Sequence, residues 1–204
     1  MILGFIAAVV IPAMVNRYHE RTTISKVKRT YSQLNQAIHM AIANNGYITS
    51  WNVSDGTSST SATQVASYIK PYLNLKKDCG TKACQGYKQI TLKDLNGNNR
   101  GSAGQYDSNS KYYKIILSDS TNIWLRSEEK FCKTDSSLPK QCFVIWFDIN
   151  GSEEPNTFGR DIYVIVATAD GINLINQSLC TLQTHGWGCL SYILQNNNMD
   201  YLHK

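Results

Sequence analysis

The sequence predicts an α+β protein: one long N-terminal α-helix packed on an antiparallel β-sheet. Three observations carry that expectation. Ile24, Val27, Tyr31, Leu34, Ile38 and Ala41 recur at alternating intervals of three and four, the stripe of a helix with one buried face. Later runs of strand length, at 112–117, 123–126, 143–147 and 162–167, are rich in β-branched and aromatic residues. Asp170-Gly171 separates the last of these from 172–175, and such a pair is a strong signal for a tight hairpin between antiparallel strands.

The helix comes first. No glycine or proline interrupts the chain between Ala13 and Asn45, and Arg21, Ser25, Lys28, Ser32 and Asn35 form the face opposite the stripe. Asn44-Asn45-Gly46 supplies the residues that end a helix in a left-handed turn. A helix over residues 2–44 would be roughly 64 Å long. Its beginning, Met1 to Val15, carries no charge. That run spans roughly 22 Å, short of the ~30 Å hydrocarbon core, and reads as the second half of a membrane span. Pro12 removes a backbone hydrogen bond, which a soluble helix tolerates badly and a membrane helix accepts. The chain therefore divides into a helix over 1–45, apolar over 1–15 and amphipathic thereafter, and a globular head over 46–204. The apolar part cannot pack on so small a head. It needs lipid, or helices like itself.

In the head, the Ser-, Thr- and Gly-rich residues 49–64 read as a loop, and 63–73 as a short second helix with Pro71 disturbing its last turn. The Gly/Asn/Ser-rich stretch 96–110 reads as an exposed loop, and 118–122 as a hairpin turn. A short apolar stretch, 190–194, closes the chain before a polar tail. Trp124 and Trp146 are expected in the core. Tyr106, Tyr112 and Tyr113 cluster by the glycine-rich loop and are expected on the half-buried face of a sheet rather than in an exposed patch for a glycan or a partner.

Composition narrows the function. Apolar residues make up 42% and charged residues 17%, enough for a buried core. Most of the net charge of +5 falls in the first 54 residues, where Arg17, Arg21, Lys26, Lys28 and Arg29 face Glu20 alone. The head is near neutral, which does not favour a nucleic-acid-binding body. The six cysteines form local couples, Cys79 with Cys84, Cys132 with Cys142, and Cys180 with Cys189, and include no C-x-x-C. Local disulfides, each pinning one small loop, are expected, and they point outside the cytoplasm. The motifs of serine hydrolases, zinc peptidases, P-loop proteins and dinucleotide-binding proteins are absent. Of the histidines, only His185 lies in the body of the head, so no enzyme is expected.

The densest polar motif is Asp148-Ile-Asn150-Gly151, followed by Pro155-Asn156 and Gly159-Arg-Asp161, between two expected strands. Two readings stand side by side. Asp148, Asn150, Asn156 and Asp161 could supply oxygen ligands to calcium, the one cofactor the sequence allows. Alternatively, the same side chains cap their own backbone in a metal-free turn.

The run Gly4-Phe-Ile-Ala-Ala-Val-Val-Ile-Pro12-Ala-Met, leading into an amphipathic helix, resembles the N-terminal helix of type IV pilins and type II secretion pseudopilins. Gly4 and Pro12 sit at the spacing of the helix-weakening residues of those subunits. The Asp148–Asp161 motif with the Ile-Tyr-Val-Ile-Val that follows, Gly-Trp-Gly-Cys189, and the ending Asn197-Asn-Met-Asp-Tyr201 resemble the heads of such proteins. The resemblance implies a pilin-like ladle and a structural role: assembly into a type IV filament through Gly4, Ile6, Val9, Val10 and Pro12, with copies of itself and related subunits as partners. It implies a single-pass protein of the bacterial cytoplasmic membrane that moves into an extracellular or periplasmic filament. The family's leader and assembly glutamate are expected upstream of Met1. Arg17 to Arg29 would meet acidic surface on neighbouring heads. The alternative is a minor pilin acting as an adhesin or in DNA uptake.

Overall fold

The computed structural model describes residues 2–84, 90–128, 131–132 and 141–203, the side chains of residues 2–14, 16 and 102–105 excepted. Helix α1 runs over Ile2–Asn45, with Pro12 inside it, and ends where Gly46 takes φ +79°. Its expected stripe faces the head: Val27, Leu34, Ile38 and Ala41 are fully buried, Ile24 nearly so, and Tyr31 half-buried. The last described contact with the head toward the N-terminus is that of Glu20 with His203, and Val15, Arg17, Tyr18 and His19 are exposed.

Trp51 follows the helix and locks its end. Its Nε1 donates to the carbonyl of Gly46 at 3.0 Å, and its ring stacks on Tyr68 and Phe143. Tyr68 belongs to α2 (Ser59–Ile69), which begins four residues earlier than expected. The reason is Ser58, whose hydroxyl accepts from the Ser61 amide while the Ser61 hydroxyl accepts from the Ser58 amide, a reciprocal cap that starts the helix inside the polar loop. The apolar face ends at Ile69, and Lys70–Tyr72 closes as a short 3₁₀ turn around Pro71.

The main sheet has six antiparallel strands in the order β1 (Leu75–Gly80), β4 (Tyr113–Leu117), β5 (Asn122–Ser127), β6 (Gln141–Asp148), β7 (Ile162–Thr168) and β8 (Gly171–Asn173). The expected strands are all present, and so is the Asp170-Gly171 hairpin. Strand β1 was not expected, because Leu75-Lys-Lys-Asp-Cys-Gly lacks an apolar alternation; it is a bulged, mostly exposed edge strand. Lysines at such an edge oppose pairing with a foreign strand.

Both faces of the sheet are buried. Ile123, Leu125, Phe143, Ile145, Phe147, Tyr163 and Ile165 point toward α1, α2 and α4 (Cys189–Asn196). Trp124, Val144, Trp146, Val164 and Val166 form a second core on the far side, so the expected tryptophan burial holds but on the face away from the helix. What covers that side corrects the reading of 96–110 as an exposed loop. Residues Thr91–Lys93 (β2) and Asn99–Ser102 (β3) make a two-stranded hairpin around Gly97, followed by the short helix α3 (Ala103–Ser108). Leu92 and Tyr106 press onto the far core, with the Tyr106 ring 5.1 Å from Tyr112 and 6.0 Å from Trp146. A few large residues within a polar stretch suffice to bury it. Tyr113, by contrast, faces the helix side, which splits the expected tyrosine cluster.

All three local disulfides are formed: Cys79–Cys84, Cys132–Cys142 and Cys180–Cys189. The last closes a loop that docks on the hairpin, with the Leu95 and Asn96 amides donating to the carbonyls of His185 and Thr184. Its glycines have no room for a side chain. A Cβ on Gly186 would lie 2.6 Å from the Phe158 carbonyl oxygen, and one on Gly188 would lie 2.1 Å from that of Asn176.

Leu34→Ala is expected to lower unfolding stability by about 3 kcal/mol, because it opens a cavity between helix and sheet. Tyr18→Ala, at a site 69% exposed, should change it by less than about 0.5 kcal/mol; denaturant titration of the two variants checks both. Gly186→Ala should impair formation of the Cys180–Cys189 loop, read as free thiol appearing at residues 180 and 189 after oxidative refolding.

Candidate functional site

The Asp148–Asp161 segment joins the two most buried strands. Because β6 and β7 run to its edges in unbroken register, with Asp148 opposite Ile162, the loop starts and ends at fixed points. Asp148 is fully buried, and its Oδ1 accepts from the amide of Asn150 at 3.2 Å, a turn closed by a side chain. Gly151 then takes φ +73°, and its Cα faces the Asn122 side chain across the turn. Asn150 Nδ2 donates to the Glu154 carbonyl at 3.1 Å. Asn156 sits at φ +48°, a left-handed conformation that asparagine accepts more readily than most residues.

Asp161 gathers the second half. One carboxylate oxygen accepts from the Asn156 amide at 2.7 Å and the other from the Thr157 amide at 2.6 Å. The group is 3% exposed, and burial pushes its pKa up to about 6 although the backbone donors at Thr157 and Asn156 pull the other way. The loop is also stitched outward. Lys93 of β2 exchanges backbone hydrogen bonds with Asn156 and Phe158, and the Tyr201 hydroxyl donates to Gly159 at 2.6 Å.

The structure therefore brings all four expected residues, Asp148, Asn150, Asn156 and Asp161, into one loop. The carboxylates cap backbone amides, as the metal-free turn requires. The amide oxygens of Asn150 and Asn156 are buried without a partner, and they are the donors that the calcium reading would add to the two carboxylates. Among the described residues no group of three or more His, Cys, Asp or Glu side chains gathers at metal-binding distance. The expected assembly residues Gly4, Ile6, Val9, Val10 and Pro12 lie in the α1 backbone, and their side chains are outside the described residues. Among the described residues no helix is long and apolar enough to cross a membrane.

Sequence reasoning missed two polar clusters. Asp94, 5% exposed, takes both contacts of Arg100 Nη1 at 3.1 Å and lies 3.0 Å from His185 Nδ1, while the guanidinium stacks over Trp187. The Asn96-Gly97 hairpin signal was its only trace in the sequence, flanked by strands too short and too polar to read. Lys114 is the second. Its Nζ is buried and donates to the carbonyls of Thr81 and Asn109, with burial lowering its pKa to about 8. It ties the loop of the Cys79–Cys84 disulfide to the start of β4.

Asp161 gives a signed pH dependence. Its folded pKa is raised, so between about pH 4 and 6 the folded state holds a proton that the unfolded state has released. The stability this group contributes is greatest below that window and falls as pH rises through it. Asp161→Asn, neutral at every pH, should therefore cost most stability near pH 4 and progressively less toward pH 7 in denaturant titrations. A cost that grows with pH would mean that the ionised carboxylate, held by the two amides, is the stabilising form.

A protein-family model described as a family of unknown function, DUF6613, matches residues 13–158, from within α1 to the middle of this loop. Neither a curated protein nor a solved structure matches the chain. The match covers more than half of the sequence, and the chain belongs to the DUF6613 family.

Proposed function

We propose that the protein is a structural subunit of a type IV filament, a pilin or a type II secretion pseudopilin, that assembles through its N-terminal helix. The observation that supports this most is the division of α1. From Ile24 onward one helical face is buried in the head and the other is polar. Before Asn16 the sequence is apolar on every side, and α1 extends through it. A helix that is hydrophobic all round needs an apolar surrounding on all sides. A bilayer supplies that before assembly, and a bundle of like helices supplies it afterwards. Heads then cover the outside, and because the contacts are head-to-tail the assembly need not close.

Other features agree with an envelope location and a load-bearing role. The disulfides suit an oxidising compartment. The C-terminus is tied back to the emerging helix, with His203 Nε2 2.7 Å from Glu20 and Lys28 Nζ donating to Asn197 at 2.7 Å. That arrangement fixes the angle between helix and head, which a helical assembly has to keep constant from one subunit to the next. An adhesin or DNA-uptake subunit remains the alternative in the same class of filament.

The test is charge in the apolar run. Val9→Asp, or a charge at Ile6 or Val10, should abolish filament recovery, since each buried charge costs about 3 kcal/mol at the centre of an apolar span. The head should keep its melting temperature and its disulfides. Filaments recovered from Val9→Asp at parental yield would overturn the proposal.

A further inference from the structure

At the N-terminal limit of the described contacts between α1 and the head, a cleft of about 590 Å³ opens between the helix and the C-terminal turn. Arg17, Glu20, Arg21 and Ile24 line one wall, at the three- and four-residue spacing of a single helical face, and Met199, Asp200 and His203 line the other. Ile24 and Met199 are buried, while Arg17, Arg21 and Asp200 are exposed. The two walls are tied together twice. His203 Nε2 lies 2.7 Å from Glu20, and Lys28 Nζ donates to Asn197 at 2.7 Å.

Two independent observations bear on what the cleft holds. The first is level. No glycine or proline interrupts α1 between Ala13 and Asn45, and Val15 ends the apolar run. At the helical rise, Arg17 lies about 3 Å and Arg21 about 9 Å beyond Val15, while the headgroup layer of a bilayer is roughly 5–7 Å deep on each side. With residues 1–15 in a bilayer, the cleft opens among phospholipid headgroups. The second is charge. Glu20 is engaged by His203, but among the described residues Arg17, Arg21 and Asp200 enter no ion pair, although all three line the same cleft. Two cations and one anion are held apart around one space.

Level selects the source of the ligand, and charge selects its chemistry. A ligand with a negative group alone would meet Asp200, and one with a positive group alone would meet the two arginines. A headgroup that carries both signs satisfies both. We infer that this cleft binds the headgroup of a phosphatidylethanolamine lipid, with Arg17 and Arg21 on the phosphodiester and Asp200 accepting from the primary ammonium. The planar guanidinium fork matches phosphate oxygens. A primary ammonium offers three N–H donors to the carboxylate, whereas the trimethylated ammonium of choline offers none, so Asp200 distinguishes the two headgroups. The inference rests on the reading of residues 1–15 as membrane-embedded before assembly, and it adds to that reading a lipid that the subunit holds while it waits there.

The test has two arms. In the first, the full chain is floated with phosphatidylcholine vesicles, which reads insertion of the apolar run without regard to the cleft. In the second, the full chain in a neutral detergent is titrated by calorimetry with short-chain phosphatidylethanolamine, phosphatidylcholine and phosphatidylglycerol, and with glycerophosphoethanolamine, the same headgroup without acyl chains. Phosphatidylethanolamine is expected to bind at least about tenfold tighter than each of the other three, which corresponds to about 1.4 kcal/mol. Asp200→Asn should bring phosphatidylethanolamine to the level of phosphatidylcholine. Arg17→Gln and Arg21→Gln should each weaken both lipids by at least about fivefold, equivalent to about 1 kcal/mol per cation, without changing the melting temperature. Lys111→Gln, at an exposed cation outside the cleft, should change nothing. The inference is overturned if phosphatidylcholine or phosphatidylglycerol binds as tightly as phosphatidylethanolamine, if Asp200→Asn keeps the preference, if neither arginine variant weakens binding, or if no lipid binds. Equal binding of glycerophosphoethanolamine would make the ligand a soluble phosphodiester and would overturn the lipid assignment. Any of these results from a chain that floats would sink the inference alone. A chain that floats with no vesicle would remove the membrane reading and the inference with it.

Discussion

Burial of the central strands on both faces is the constraint from which the rest of the architecture derives. An antiparallel sheet commonly leaves one face to water, and its strands then alternate between apolar and polar. Here β6 is buried from Cys142 to Asp148 and β7 from Ile162 to Ala167, so two coverings are needed. Helices α1, α2 and α4 supply the first from continuous apolar faces. The second is assembled from short pieces: Leu92 on β2, Tyr106 on α3, and Phe158 and Trp187 in loops, each among polar neighbours. Small pieces bury little area each and lose much backbone entropy when ordered. The Gly186 contact with Phe158 and the Asp94–Arg100 pair lie on this side, and the loop closed by Cys180–Cys189, whose sulfurs sit in the helix-side core, carries Trp187 across to it.

The same constraint gives the Asp148–Asp161 loop its character. Its ends are fixed by two buried strands in register, so its interior has little freedom left, and its polar groups must be satisfied where they stand. Asp161 does this for two amides at once and remains desolvated enough to hold its proton well above the usual carboxylate range. The asparagine oxygens are the residue of that solution: groups that the fold places but does not pair.

How much of this the sequence disclosed depended on how continuous each signal was. The α1 stripe and strands β4 to β7 extend over enough residues for their periodicity to be read directly, and the cysteine couples are close enough in the chain for local pairing to be the simple choice. The hairpin β2–β3 and helix α3 were hidden because each contributes one or two apolar residues among many polar ones, and Leu92 or Tyr106 acquires meaning only when Trp124 and Trp146 are known to point away from the helix. The start of α2 was misplaced because the cap is made by two serines, Ser58 and Ser61, inside a run of serines where no single one stands out. The loop residues were legible as a group. Which of their atoms remain unpaired was not, since that depends on backbone carbonyls and amides brought in from Glu154, Thr157 and β2.

The two parts of α1 stand in different energetic situations. From Ile24 to Ala41 the helix is held by the head, and its buried side chains each contribute roughly 1.5–3 kcal/mol. The run over residues 1–15 is apolar throughout. At the same rate per side chain, leaving it in water would cost on the order of 20 kcal/mol, more than the whole stability of an ordinary domain. No rearrangement of a head this size could absorb that cost, because the sheet is already covered on both sides. In the proposed filament subunit the run would be buried first in lipid and then against other chains, and exchanging one for the other would involve little apolar exposure. Passage from membrane to filament would then carry a small net cost in hydrophobic free energy. Under that proposal the deciding contacts are those between heads and between the helix faces that begin at Arg17.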